Sequence, residues 1–236
     1  MGTLLQSGNG GLMSGSWEIL AEAEKMKSSV FMAILTRETV STAWASNFKK
    51  LALPDGSGWT FIHGMPFDHA RNTGCQKLLE LGWEYLFFLD DDVICPPDTI
   101  MRLISHRLPI VSGLYYRRMM PLVPCMLRHS DQGPQWVTSY PENSVIEVDL
   151  VGAGCLLISR QVIETLPPLS NRCRWFQWQC DRTDVHPLEK TSEDFTFMTH
   201  AKNHGFKIHV DTSIICRHLG LAETSKDGIK PLELKL

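Results

Sequence analysis

The amino-acid sequence predicts an α/β protein with a mostly parallel central sheet, flanking helices and a smaller mixed sheet. Short apolar segments alternate with helical segments through the first half of the 236-residue chain, as in sheets whose parallel strands are joined by helical crossovers. Strand-like segments lie closer together in the second half. Asp90, Asp91 and Asp92 directly follow one of the most apolar segments, at the strand end where open α/β sheets bind ligands.

In the first half, continuous apolar runs predict strands, and helical spacing between turn residues predicts helices. Gly82 ends one helix, because glycine readily adopts the left-handed conformation found there. Pro96 and Pro97 open the next, since proline is tolerated in a first helical turn. The predicted strands cover residues 30–35, 59–62, 85–89 and 109–112, and the predicted helices cover 40–53, 69–81 and a segment after 98.

The second half is less regular. Gly152 and Gly154 interrupt a strand-rich region and indicate a bulge or a close approach of two backbone segments. Residues 167–191 form a long irregular stretch, and loops of this length are usually functional or mobile. Strands are predicted at residues 123–127, 145–150, 155–159 and 207–210, and a helix at 193–204.

Composition favours one enzyme-sized unit in the cytoplasm. The formal net charge of −3 is no argument for a nucleic acid or an anionic membrane. No apolar run is long enough to span a bilayer, and the N-terminus lacks a signal-peptide pattern. The seven cysteines are scattered and predict reduced thiols. Cys173, Cys180 and His186 fit no usual zinc spacing and are interpreted as ordinary loop residues.

The acidic triplet is the strongest functional signal. A buried strand does not need three acids at its end, and their repulsion costs stability unless a cation or solvent relieves it. Carboxylates are ligands that hard divalent cations prefer. We therefore predict a divalent metal site at Asp90, Asp91 and Asp92, with a solvated acidic turn as the alternative.

Several short motifs occur in a recognisable order. Ala70-Arg71-Asn72 begins a helix, Asp-x-Asp follows a strand, and Gly-x-Gly, Ser192-Glu193-Asp194 and a late His218 come after it. Over residues 30–220 this order resembles the nucleotide-sugar glycosyltransferases of the GT-A fold, especially the family-2-like group. The resemblance implies one catalytic domain at 17–220, with a donor-binding half at about 28–115 and an acceptor half at about 116–220. Residues 1–16 would be a flexible leader and 221–236 a polar tail.

The resemblance implies a metal-bound diphosphate. In such enzymes the second acid, here Asp92, binds Mn²⁺ or Mg²⁺, while the first, here Asp90, contacts the ribose or a metal-bound water. Asp91 could share this role. His218 matches a histidine that often completes the metal shell, and an imidazole ligand favours Mn²⁺. The alternative for His218 is a structural histidine at a strand end.

Other positions match the donor site. Thr36 and Arg37 follow the first strand, where these enzymes hold the base and ribose, and Arg71 lies where a basic residue commonly meets the nucleotide. The acid that often reads the base is replaced by His63-Gly64, with Asp68 further on. The base therefore stays open, UDP being the commonest choice.

Asp194 matches the catalytic base of inverting enzymes, which takes a proton from the acceptor hydroxyl. Glu193 is its competitor. The alternative for both is a favourable helix start, because acids in the first turn stabilise the helix dipole.

Two features of the second half suggest acceptor contacts. Arg117 and Arg118 belong to an arginine-containing stretch, residues 99–130, that has no acid. It is either an anion-binding surface or a solvated face. Trp175, Phe176 and Trp178 form either a stacking platform or a loop anchor.

The sequence thus predicts a metal-dependent, hexosyltransferase-like enzyme that moves a sugar from a nucleotide donor to a hydroxyl acceptor with inversion. The acceptor is open among a glycan, a protein and a hydroxymethylated DNA base. A nucleotidyltransferase and a non-catalytic nucleotide-sugar-binding module are the rivals. The nucleotidyltransferase usually needs a glycine-rich loop, which Leu35-Thr36-Arg37-Glu38 lacks.

Overall fold

The computed structural model describes residues 29–63, 66–118, 121–171, 174–178, 192–220 and 222–231. The predicted leader at 1–16 and the residues Cys173, Cys180 and His186 lie outside these ranges. Among the described helices, none combines the length and the apolar character needed to cross a membrane.

The described chain forms fourteen strands and five helices. The strands are β1 (Val30–Thr36), β2 (Gly58–His63), β3 (Tyr85–Asp90), β4 (Val93–Ile94), β5 (Ile110–Leu114), β6 (Met126–Ser130), β7 (Gly133–Trp136), β8 (Val145–Val148), β9 (Leu150–Val151), β10 (Cys155–Ser159), β11 (Ile208–Ile215), β12 (Arg217–His218), β13 (Ala222–Ser225) and β14 (Gly228–Pro231). The helices are α1 (Thr42–Phe48), α2 (Phe67–Leu81), α3 (Thr99–Ser105), α4 (Arg160–Thr165) and α5 (Glu193–Asn203).

A seven-stranded sheet with the order β2-β1-β3-β10-β5-β11-β8 is the centre of the fold. β1 pairs parallel with both β2 and β3, and β5 pairs parallel with β11. β10 lies antiparallel between β3 and β5, and β8 is antiparallel to β11. The predicted α/β class with a mostly parallel central sheet is confirmed. The regular alternation of the first half did not reveal that β10, from the second half, separates β3 from β5.

Burial on both faces explains the continuous apolar runs. In β3, Phe87 and Phe88 are both fully buried and point to opposite faces, because side chains alternate along a strand. Phe88 joins the hydrophobic cluster on one face of the sheet and Phe87 the cluster on the other. β3 is therefore a central strand in which four buried residues separate the partly exposed Tyr85 from the partly exposed Asp90.

The smaller sheets differ from the prediction of one mixed sheet. Two occur within the described ranges, β7-β6-β9 and β14-β13-β12-β4, and all their pairings are antiparallel. Part of the predicted tail forms the β13–β14 hairpin, which pairs with β12 through His218.

Several predicted elements have different boundaries. β6 begins three residues later than the strand predicted at 123–127, and β11 extends five residues beyond the strand predicted at 207–210. The predicted strand at 145–150 divides into β8 and β9, which belong to different sheets. Asp149 lies at the change of sheet, where its carboxylate accepts a hydrogen bond from the His129 amide and contacts Lys202. The helix predicted at 40–53 ends at Phe48, because the following amides of Lys50 and Leu51 bond three residues back in a tightened turn.

Helix α2 packs closely on β1 and β3 at Gly74. A Cβ atom at this position would lie 2.8 Å from Cε1 of Phe88 and 3.3 Å from Cβ of Ala33. The absence of a side chain at Gly74 therefore sets how near α2 approaches the sheet, and with it the position of Arg71 one turn earlier.

We expect Gly74→Ala to lower the free energy of unfolding by up to about 2 kcal/mol. The clash with the buried Phe88 ring, a cost of about 1–3 kcal/mol, outweighs the gain in helix propensity of about 1 kcal/mol. Urea unfolding measures the difference, with the exposed Lys77→Ala on the same helix as control. A Gly74→Ala protein more stable than wild type would contradict this packing.

Candidate active site

Arg71 is the centre of the candidate site. Its side chain is only 2% exposed. Its Nη2 lies 3.2 Å from Oδ1 of Asp90, and its Nε lies 3.1 Å from Oε1 of Glu193 and 3.0 Å from Oδ1 of Asp194. One guanidinium therefore holds the end of β3 against the start of α5.

The local sequence explains why these groups meet. Asp90 ends the buried strand β3, and Glu193 and Asp194 occupy the first turn of α5, where acids are favourable against the helix dipole. Oδ2 of Asp194 accepts a hydrogen bond from the Ala153 amide at 3.1 Å. Arg71 also donates, over a longer 3.4 Å, to the Ala153 carbonyl.

Three carboxylates around one guanidinium give the cluster excess negative charge. Burial raises the pKa of Asp90 to about 6, with Arg71 opposing the shift and the charges of Asp92 and Asp194 adding to it. Burial and the charge of Asp194 raise the pKa of Glu193 to about 8, again against Arg71. The raised pKa favours the protonated form of the Glu193 carboxyl. Burial would lower the pKa of Arg71, but the three acids raise it well above its ordinary value.

Two glycines let the segment before β10 approach the acids, as the Gly-x-Gly pattern predicted. A Cβ atom at Gly152 would lie 2.1 Å from the Tyr115 hydroxyl oxygen, and one at Gly154 would lie 3.2 Å from Oδ2 of Asp90. The Gly154 amide donates to the Tyr115 hydroxyl at 3.0 Å, and the Asp90 amide donates to the Gly154 carbonyl at 3.1 Å. Gly154 is therefore held beside Asp90 through both its amide and its carbonyl.

Asp92 and His218 form the second part of the site. Oδ1 of Asp92 lies 3.4 Å from Nε2 of His218, and its Oδ2 lies 2.8 Å from Nη1 of Arg118. Burial alone would raise the pKa of Asp92, but the hydrogen bond and charge of His218 and the charge of Arg118 lower it below its ordinary value. β12 brings these residues together, because it pairs with β4 with His218 opposite Val93.

The chemistry of this pair fits a divalent cation. Nδ1 of His218 lies 2.8 Å from the Tyr116 carbonyl oxygen, which can only accept a hydrogen bond, so Nδ1 carries a proton. A neutral imidazole with its proton on Nδ1 has an acceptor lone pair on Nε2. This atom lies 3.4 Å from Oδ1 of Asp92, and both atoms are of the kinds that bind one divalent metal ion. Asp92 and His218 are the residues present to hold Mn²⁺ or Mg²⁺, with Asp90 nearby on the same strand end.

Two neighbouring cavities open beside the ends of β1 and β3. Arg37 and Phe67 line both, and the Arg37 guanidinium lies 5.7 Å from the centre of the Phe67 ring. A cavity of about 360 Å³ is also lined by Ser41, Asp91, Asp92, Arg118, Leu219 and Gly220. A cavity of about 240 Å³ is also lined by Leu35, Thr36, Ile62, Pro66 and Ala70. The Thr36 hydroxyl is buried and has no hydrogen-bond partner among the described residues.

The two acceptor candidates with indole side chains have different environments. Trp175 is 4% exposed, and its Nε1 donates to the Ile163 carbonyl at 2.8 Å, so it anchors the loop rather than offering a stacking surface. Trp178 is 40% exposed. Asn72 fixes the loop between them, since its Oδ1 accepts from the Trp175 amide at 3.0 Å and its Nδ2 donates to the Phe176 carbonyl at 2.7 Å.

The adjacent arginines also diverge. Arg118 contacts Asp92, whereas the Arg117 guanidinium lies over the Trp136 ring at 4.8 Å from its centre. They do not form one continuous anion-binding surface. The Asp92 contact places Arg118 at the predicted metal site.

The structure changes the interpretation of some predicted residues. Arg71 is buried and contacts Asp90 from the interior of the protein. Its contact with a nucleotide therefore stays a prediction, and the geometry favours an indirect role in fixing the acids. Tyr115 and Ala153 were not anticipated. The Gly-x-Gly pattern around Ala153 was the available signal for that segment, whereas nothing local marks Tyr115.

Comparison with solved structures identifies the architecture. The chain is similar to A197 from STIV, with 16% sequence identity and a TM-score of 0.60 over 87% of this chain and 94% of that chain. Lower TM-scores relate it to UDP-glucose pyrophosphorylase in complex with UDP-glucose (0.40, 14% identity, 84% of this chain and 78% of that chain) and to inositol-1-phosphate CTP transferase from T. maritima (0.39, 11% identity, 86% and 75%). No protein-family model and no curated protein matches the chain. The first similarity establishes a shared α/β fold, and the other two are too low to support a conclusion.

We expect Glu193→Gln to be stabilised relative to wild type as pH rises. The raised pKa means that the folded protein binds the Glu193 proton more tightly than the unfolded chain does. This stabilisation is complete below the ordinary glutamate pKa and is lost as pH rises through about 8, by up to about 1.4 kcal/mol per pH unit. Glutamine is similar in size to protonated glutamate and does not ionise, so the variant does not lose this stability as pH rises.

Melting temperatures of wild type and Glu193→Gln across this pH window test the expectation, with the exposed Glu142→Gln as control. A difference between wild type and Glu193→Gln that does not change with pH would show that Glu193 is ionised in the folded protein.

Proposed function

We propose that this protein is a GT-A-type, metal-dependent glycosyltransferase that moves a sugar from a nucleoside-diphosphate sugar to a hydroxyl acceptor with inversion. The main support for this proposal is that two groups of carboxylates meet at the end of β3. Asp92 faces His218 and Arg118, while Asp90 is joined through Arg71 to Glu193 and Asp194. One grouping suits a metal-bound leaving group, and the other provides a carboxylate for proton removal.

The two cavities support the assignment of the donor. They lie at the carboxyl ends of β1 and β3, where α/β sheets bind ligands. The smaller cavity has apolar walls and the buried Thr36 hydroxyl, which suit a base or ribose. The larger one combines Asp91 and Asp92 with Arg37 and Arg118, which suit a diphosphate with its counter-ion.

A divalent ion held by Asp92 and His218 would supply positive charge against the departing diphosphate. Arg118 is half exposed and supports the same role, because it carries a mobile positive charge beside that carboxylate. Arg37 lines both cavities and would add a second positive charge beside the donor.

Asp194 is a better candidate for the catalytic base than Glu193. Its side chain is 15% exposed, compared with 6% for Glu193. The raised pKa of Glu193 favours its protonated form, which lowers the fraction of that carboxyl able to accept a proton. The Ala153 amide and Arg71 orient Asp194, and a fixed carboxylate beside an incoming hydroxyl is what one-step inversion needs.

Trp178 is the favoured acceptor contact. It is exposed and its loop is attached to α2, as its amide lies 3.4 Å from Oδ2 of Asp68. Exposed indoles on fixed loops stack on sugar rings, so a glycan is the acceptor that these residues support best. A DNA acceptor is less well supported, because Arg117 and Arg118 contact separate groups.

The direct test incubates the protein with a panel of nucleotide sugars and Mn²⁺ and measures release of free nucleoside diphosphate. We expect release with one class of donor, UDP-sugars first, and loss of release in excess chelator. Formation of pyrophosphate from a nucleoside triphosphate and a sugar phosphate would instead identify a nucleotidyltransferase. Donor binding with neither product would identify a binding module.

We expect Asp194→Asn to retain donor affinity but lose turnover by about 10²–10⁴-fold, the usual contribution of a general base. Asparagine keeps the side-chain size and remains a competent group at a helix start. Turnover, donor affinity and melting temperature of this variant are to be compared with those of Glu193→Gln, which should keep much more turnover. If the two variants lose turnover equally, Asp194 has no special role as base.

We expect Arg118→Ala to bind Mn²⁺ up to about fivefold more tightly, since it removes a competing ion pair worth at most about 1 kcal/mol at such an exposed position. Affinity for the donor should fall, because the same arginine supports the diphosphate. Calorimetric titration with Mn²⁺ and then with donor measures both effects. Arg117→Ala is the matched control and should change neither affinity; equal changes in both variants would refute a specific role for Arg118.

A further inference from the structure

Three cysteines that are far apart in the sequence have their sulfur atoms together beneath the candidate active site. Sγ of Cys95 lies 3.5 Å from Sγ of Cys155 and 3.5 Å from Sγ of Cys216. All three sulfurs lie within 4.8 Å of one another. Each residue is at most 1% exposed. These cysteines are scattered in the sequence, but the fold brings the three together as free thiols.

The spacing of the sulfurs suits a shared metal ion. Thiolate ligands lie about 2.3 Å from Zn²⁺, so two ligands at the tetrahedral angle are about 3.8 Å apart. The two measured separations of 3.5 Å are a few tenths of an ångström shorter. A small outward movement of the side chains is enough to admit the ion.

Gly113 provides room beside the sulfurs. A Cβ atom there would lie 2.9 Å from Sγ of Cys155 and 3.1 Å from Sγ of Cys216. Any side chain at this position in β5 would press on two of the three thiols. The rest of the neighbourhood belongs to the hydrophobic cluster that contains Val93, Ile94 and Ile214.

We propose that Cys95, Cys155 and Cys216 form a structural site for one thiophilic d¹⁰ cation, Zn²⁺ or Cu⁺. Soft thiolates select these ions over Mn²⁺ and Mg²⁺, which prefer oxygen. Among the described residues the group contains no fourth ligand. Zn²⁺ ordinarily takes four ligands, so this feature favours three-coordinate Cu⁺. Binding converts thiols to thiolates and releases their protons to solvent.

The position of the cluster indicates that a bound ion would stabilise the acidic site. Cys95 follows β4, three residues after Asp92, and Cys155 directly follows Gly154, which bonds the Asp90 amide. Cys216 lies between β11 and β12, two residues before His218. One ion at the cluster would join the three segments that carry the acidic site.

The test uses the full chain, reduced and handled without oxygen, with separate additions of Zn²⁺ and of Cu⁺ under a competing chelator. We expect one equivalent of one ion to bind and to raise the melting temperature. Cd²⁺ is a spectroscopic probe that should give an ultraviolet thiolate-to-metal charge-transfer band. Asp92→Asn should keep this band, because that residue belongs to the other site.

Cys155→Ser and Cys216→Ser should lose the band, while Cys75→Ser, which removes a buried cysteine outside the cluster, should keep it. If the cluster variants do not fold, the wild-type stoichiometry, band and melting shift still decide. The proposal would be overturned if the wild-type protein binds neither ion. It would also be overturned if folded cluster variants keep the band. A disulfide between two of these cysteines in the freshly purified protein would also overturn it.

Discussion

The buried guanidinium of Arg71 is the interaction on which the candidate site depends. It is packed in α2 against the sheet and contacts Asp90, Glu193 and Asp194, which come from two other elements. Removing one partner from such a cluster usually costs about 3–5 kcal/mol, because it leaves buried charge without compensation. Arg71 therefore sets where β3 ends relative to α5, and the approach of α2 at Gly74 sets where Arg71 lies.

The charge of this cluster explains its relation to the neighbouring Asp92. Three acids against one arginine leave excess negative charge. Burial and this charge raise the pKa of Glu193, which favours its neutral form. Arg118 and His218 relieve the charge on Asp92. A divalent ion with a nucleotide diphosphate would fit the same electrostatic arrangement. The proposed glycosyltransferase activity would use this division by assigning Asp92 to the leaving group and Asp194 to the acceptor.

The sequence predicted those features that are written in local patterns. Apolar runs located the strands of the central sheet, and the acids at the end of one run located the candidate site. It did not predict features that depend on contacts between distant segments. The insertion of β10 between β3 and β5 is one example. The burial of Trp175 beside the exposed Trp178 is another, because Asn72 and Ile163 decide it. The convergence of Cys95, Cys155 and Cys216 is a third.

Hydrogen–deuterium exchange on Arg71→Lys tests whether the Arg71 guanidinium holds the end of β3 and the start of α5 in place. Lysine keeps the positive charge but cannot reproduce the planar set of donors with which arginine reaches several acids. We expect faster exchange at the Ala153 amide and in the first turn of α5, with exchange in the interior of β1 and β3 unchanged. Unchanged protection at both Ala153 and the start of α5 would contradict it, because another interaction would then hold the acidic segments in place.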